Sequence, residues 1–337
     1  MKISILTTII ILVACIFFAS GVYAQTGQAR VYLNDSVVTP NPEIVPLYDL
    51  DGSGYLQNQY VVLLVLAGSP YDHRAYSLEG NFIYEPLAWD IHNIIPEGIK
   101  FDAASTYYYL TYMRKYLEER FGFNQSDAQL QVYLFADELT GGVDPDVPSI
   151  TGGVPNFVPG DTWGSDHYRC ATSVMHEYTH IVFMRYRQNL EFQQGGFGHP
   201  NTQACGINEA LAVFWPCSIL NEPVYGSAVC APGYQPFDLR DDVSYQVGGD
   251  FENIVRSLST TFWDLREALG QQVCEQLLWD AMELVPHQNA TFRDMRSVLC
   301  QVDKSQYGGV HRGAIIKVFN NHNIGHSAGV IQQQVWY

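Results

Sequence analysis

Positive charge is scarce in this chain of 337 residues: 18 Lys and Arg stand against 35 Asp and Glu, for a formal net charge of -17. No basic block or stripe offers a track for a phosphate backbone, which excludes nucleic acid as a partner, and the acidic balance repels anionic lipid. No two cysteines form a CxxC pair, which argues against a zinc site built from cysteine. Beyond the N-terminus there is no apolar run long enough to span a bilayer, and no internal repeat or low-complexity tract. What remains is globular in composition, 47% hydrophobic and 16% charged. The length suits one large domain or two lobes sharing a cleft.

The N-terminus reads as an export signal. Lys2 is followed by an apolar run from Ile3 to Ala19, and Val22-Tyr23-Ala24 gives the small-x-small pattern of a cleavage site, so residues 1–24 are expected to be removed and Gln25 to begin the mature chain. This implies a secreted, extracellular protein with no membrane association after cleavage. Periplasmic residence, or a lipid anchor at Cys15, are the alternatives. Six cysteines then remain (Cys170, Cys205, Cys217, Cys230, Cys274 and Cys300), an even count that predicts disulfide bonds in an exported chain. Asn34, Asn124 and Asn289 open triplets of the glycosylation type.

Along the mature chain, residues 25–100 read as mixed and loop-rich, with one buried strand at 60–66. A helix with a broad tyrosine face is predicted over 101–121, stopped by Gly122, and an alternating strand over 129–135. The stretch 136–165 reads as loop. Helical spacing resumes over 169–187, then over 208–215, where Pro216 is expected to end the helix. Residues 221–249 read as a surface excursion, and four helices follow at 251–268, 271–284, 291–302 and 310–320. The expected division is an α+β N-terminal lobe over 25–187 and a mainly helical C-terminal lobe over 188–337.

The chemistry concentrates at Met175-His176-Glu177-Tyr178-Thr179-His180. Residues four apart share a helix face, so His176 and His180 can present two imidazoles to one ion. Glu177, one position along, can handle the proton of an attacking water. A catalytic zinc needs a third protein ligand and a vacant position. Glu209 is the strongest candidate, an isolated acid in the apolar segment Gly206-Ile207-Asn208-Glu209-Ala210-Leu211, where a buried carboxylate needs a cation. His199 competes for that role, and a helix-start acid is the structural alternative for Glu209.

These residues resemble the gluzincin peptidases, and more closely the fungalysin family of secreted metallopeptidases. The likeness extends to Pro46–Leu56, Asn81–Tyr84, Thr261–Leu265, Asn289–Phe292 and the run from Tyr307 to Gly325. It implies a two-lobe zinc endopeptidase acting on protein or peptide substrates, with the zinc helix between the lobes. It carries the metal ligands to His176, His180 and Glu209, and the catalytic carboxylate to Glu177. Two departures stand out. Val213 occupies the place where gluzincins commonly carry an Asp that orients a zinc histidine, and the large pro-region of many fungalysins has no counterpart ahead of residue 46. Of Tyr168, His199, His287 and His311, none is singled out as an oxyanion donor. Asp49-Leu50-Asp51-Gly52-Ser53-Gly54 resembles half of a calcium loop, so a structural Ca2+ is a lesser expectation beside Zn2+. Tyr60 stands where the closing Glu would be, and a tight turn is the default reading.

Overall fold

The computed structural model describes residues 25–35, 40–65, 74–87, 95–124, 129–134, 149–151, 154–157, 169–183, 203–226, 236–285 and 290–324. Residues 1–24, Cys15 among them, lie outside this set, as do Tyr168, His199, Cys230, His287 and Asn289, so the expectations placed on them lie outside it too.

The architecture is mixed α+β, with seven helices and three small sheets among the described residues. Strand β1 (Gln25–Val31) pairs antiparallel with β2 (Glu43–Leu50) and parallel with β4 (Asn81–Phe82). The sequence reading missed this hairpin. In β2, Val45 and Leu47 face the core, but Ile44 and Tyr48 on the other face are exposed and apolar, which blurs the alternation that marks a half-buried strand. In β1, Gly27 permits a close approach that no other residue allows, since a Cβ there would lie 2.5 Å from the Gly80 carbonyl oxygen and 2.6 Å from Leu50.

The second sheet has the order β3-β5-β7-β6. Strands β3 (Val61–Val65) and β5 (Leu130–Leu134) run parallel at the two places read as strands, and β7 (Val154–Phe157) continues the parallel run. Strand β6 (Ser149–Thr151) closes the edge antiparallel to β7. The parallel pair β3–β5 needs a crossover, and helix α1 (Pro96–Phe121) lies between these strands in the chain. It starts a turn and a half earlier than the tyrosine face suggests, because Pro96 is tolerated in a first turn that needs no N–H from it. It ends at Gly122 in the left-handed conformation, φ 66°.

Helix α2 (Ala171–Ile181) is buried along its whole length. Helix α3 (Gln203–Leu220) does not stop at Pro216 but runs through it. The ring removes its own N–H donor and crowds the carbonyl four residues back, but α3 is buried on nearly every side, so tertiary packing outweighs the local cost. Helices α4 (Phe251–Leu269), α5 (Gln271–Ala281), α6 (Phe292–Tyr307) and α7 (Arg312–Asn321) complete the C-terminal half. Thr291 and Asp294 form a reciprocal capping box at the start of α6. One contiguous core joins both halves. At its centre Trp279 stacks on Phe121 at 4.7 Å and meets Trp215 edge-on at 6.0 Å.

The Asp-Gly-Ser-Gly stretch is a tight turn. Asp51 accepts from the Ser53 N–H at 2.9 Å and from Gln57 at 2.7 Å, while Asp49 pairs with Arg114 at 3.0 Å. Protein donors engage both carboxylates. Cys170, Cys217, Cys274 and Cys300 are unbridged thiols. Asn34 is buried with its amide oxygen bound to the Asp35 N–H at 2.8 Å. No helix among the described residues is long and apolar enough to cross a membrane.

Candidate metal centre

Helix α2 carries the HExxH residues, and two buried acids fix its N-terminal end. Asp35 accepts from the Thr172 N–H at 3.0 Å and from the Thr172 hydroxyl at 3.0 Å, which satisfies a first-turn donor that the helix cannot satisfy itself. Asp102, on α1, takes two bonds from Arg169, at 2.7 and 3.3 Å, and Arg169 donates also to the Leu87 carbonyl at 2.7 Å. The start of α2 is thereby tied to β1's end, to α1 and to the segment ahead of α1.

Two turns later the imidazoles of His176 and His180 converge. Their Nε2 atoms are 3.0 Å apart. One carboxylate oxygen of Glu209, from α3, lies 3.3 Å from Nε2 of His176 and 3.6 Å from Nε2 of His180. Three bonds of zinc length meeting at tetrahedral angles place their donor atoms about 3.3 Å apart. The observed triangle has that size, so the donor set fits a tetrahedral ion. His176, His180 and Glu209 form a group that could hold a metal ion, and no other such group of three or more occurs among the described residues. Gly206, one turn before Glu209, sets the depth of α3: a Cβ there would meet Ile254 of α4 at 2.3 Å. The approach to the cluster is from the Glu209 side, whose side chain keeps 33% of its surface against 10% and 9% for the imidazoles.

The electrostatics are those of a site arranged for a cation. For Glu209, its partly buried position would raise the pKa. The charge of His180 and the hydrogen bonds from both imidazoles overcome this and hold it far below the usual carboxylate range. For His180, burial works against protonation, but the Glu209 carboxylate, with Glu177, lifts the pKa to about 9. The proton on His180 occupies the place in the charge balance that a metal ion would take. Glu177 is buried, and desolvation raises its pKa although the two histidines pull it down. A carboxylate tuned upward suits a group that takes and returns a proton near neutral pH.

Support behind the ligands is sparse. Nδ1 of His176 and Nδ1 of His180 are both buried without a hydrogen-bond partner, as is the amide oxygen of Asn208. Val213, one turn beyond Glu209, is buried and offers no acceptor.

The structure therefore brings together all four residues singled out from the sequence. Of the four oxyanion candidates, only His311 is described, and it is committed elsewhere: its Nδ1 pairs with the buried Asp303 at 2.9 Å at the junction of α6 and α7. The sequence reading missed Tyr225, whose ring lies against His176 with centroids 5.3 Å apart. Its segment, β8 (Val224–Tyr225), pairs with β9 (Phe237–Asp238). A strand of two residues leaves no periodic signal. Asp35 was equally invisible, since it acts on a residue distant in the chain. In comparison with known proteins, no family model and no curated protein matches this chain.

Proposed function

We propose that this protein is a secreted zinc-dependent endopeptidase of the gluzincin type, with His176, His180 and Glu209 as ligands and Glu177 as general base. The observation that carries the proposal is the triangle of donor atoms at 3.0, 3.3 and 3.6 Å with a buried carboxylate one residue beyond His176. Two imidazoles and one carboxylate, open on one side, are the donor set of a catalytic rather than a structural zinc site. The resemblance to fungalysin peptidases and the expected export signal support the same reading.

When bound, zinc supplies Lewis acidity, acidifying water toward neutral pH and polarising a carbonyl. The protein's own groups do the rest. His176, His180 and Glu209 would hold the ion. Glu177 takes the proton of the attacking water and passes it to the departing amine as the peptide bond breaks. Glu177→Gln keeps the shape of the side chain and removes the base. It is expected to lower kcat on a quenched peptide by about 10²- to 10⁴-fold while metal content stays the same. Turnover that persists in this variant, or that survives 1,10-phenanthroline, sinks the peptidase reading.

A second reading has its own observation. The bare Nδ1 atoms and Val213 fit a metal-binding protein without turnover. Metal bound stoichiometrically, with no cleavage across a peptide library, selects that reading.

A further inference from the structure

We infer that Gln203 is a positioning residue for the metal centre: its side-chain amide ties the start of α3 to two other segments and thereby sets where Glu209 meets the imidazoles. The inference rests on the reading of His176, His180 and Glu209 as metal ligands, and not on peptide cleavage. Those ligands come from two helices with different anchors. Helix α2, which carries both imidazoles, takes its place from Asp35 beyond β1 and from Asp102 on α1. A donor triangle of 3.0, 3.3 and 3.6 Å also requires that α3 be held, so that Glu209 arrives in register with the pair.

Gln203 is the first residue of α3, and both ends of its amide are engaged. The oxygen accepts from the Phe292 N–H at 2.7 Å. That N–H opens α6, where the helix has no acceptor of its own to offer. The nitrogen donates to the Tyr245 hydroxyl at 3.0 Å. The rings of Tyr245 and Phe292 meet edge-on with centroids 5.2 Å apart, so the two partners of the amide also pack on each other.

Tyr245 is itself strapped down. Its N–H donates to the His322 carbonyl at 2.9 Å, and the His322 ring donates to the Val243 carbonyl at 2.8 Å. Asn253, on α4, donates to the Ser244 carbonyl at 3.1 Å and accepts from the Gln246 N–H at 2.9 Å. The hydroxyl that meets Gln203 is therefore fixed relative to α4 and to the residue that caps α7.

Glu209 lies six residues beyond Gln203, about 9 Å along the helix axis. Halfway between them, at Gly206, α3 packs so close to α4 that a Cβ would meet Ile254 at 2.3 Å. One bonded point and one close contact fix the direction of these first turns. Without the bonded point the helix start is free to fray. A ligand atom displaced by about 0.5 Å is enough to change how an ion is held.

The test compares three variants of the full chain, loaded with zinc or with Co2+, whose visible absorption reports the symmetry of its ligands. Gln203→Leu removes both bonds, and Tyr245→Phe removes one. Gln203→Glu keeps both, because one carboxylate oxygen accepts from the Phe292 N–H and the other from the Tyr245 hydroxyl, turned round as a donor. In a chelator competition, zinc affinity is expected to fall about tenfold in Gln203→Leu, by less in Tyr245→Phe, and to return close to the parent value in Gln203→Glu. The Co2+ spectrum should depart from the parent in the same order. Both readings are taken well below the Tm of each variant, where lost stability alone does not move the spectrum. Parent-like zinc affinity and a parent-like Co2+ spectrum in Gln203→Leu overturn the inference and leave the metal centre standing. So does a Gln203→Glu variant that recovers nothing. If Gln203→Leu does not fold, Tyr245→Phe decides by the same two readings. A parent protein that takes up neither zinc nor Co2+ removes the metal reading, and this inference with it.

Discussion

The two ends of helix α2 are built on opposite plans. At the N-terminal end every buried charge has partners: Asp35 holds Thr172, and Asp102 holds Arg169 with two bonds. At the other end the two imidazoles converge on Glu209, yet their outer nitrogens are buried with no partner. The contrast shows where this site gets its geometry. Metal-binding histidines are ordinarily oriented by an acceptor on the second ring nitrogen. Here the orientation comes from the placement of the helix, clamped at its start by carboxylates, with Gly206 setting the depth of α3 against α4.

Breaking the clamp should have the largest effect. Arg169→Met removes both bonds that the guanidinium makes to the buried Asp102, and is expected to destabilise the fold by about 3–5 kcal/mol, read as a fall in the denaturant midpoint. Replacing both partners, as Arg169→Met with Asp102→Leu, should recover much of that loss. A single variant as stable as the parent would mean that the pair does not anchor the helix.

The bare end can be sharpened instead. Val213→Asp adds an acceptor one helical turn beyond Glu209, and is expected to tighten zinc binding about tenfold in a chelator competition. The metal-free form of this variant should lose stability, because the new carboxylate is buried without a cation. Unchanged or weaker affinity would show that the missing acceptor does not limit the site.

A further effect concerns pH. In the metal-free protein the pKa of His180 is raised from 6.5 to about 9, so the protonated form stabilises the fold. That contribution is fully present below pH 6.5 and disappears as pH rises through about 9. Protein treated with a chelator should therefore lose Tm across this window. Zinc-loaded protein, which has already released the proton, should not. Parallel Tm profiles for the two forms would contradict the pairing of His180 with Glu209.

The motif at 176–180 was legible because a helix turns the spacing of two histidines into a shared face. Glu209 was legible as an acid in an apolar segment. The strand at 61–65 was legible from an apolar, β-branched run, and the strand at 130–134 from its alternation. The β1–β2 hairpin was not, since its outer face carries exposed Ile44 and Tyr48 where polar residues would mark it. The passage of α3 through Pro216 was not, because local propensity speaks for a stop and only the surrounding core outweighs it.

The amino-acid order alone determined that two imidazoles would share one helix face, with an acid next to one of them in the chain, because that depends only on the 3.6-residue turn. It did not determine that Glu209 meets them, that Asp35 and Asp102 hold the helix, or that Tyr225 returns to cover His176. Those contacts join residues far apart in the chain. They are decided by how helices and strands pack around a common core, and that outcome is set by burial summed over the whole molecule rather than by any local pattern.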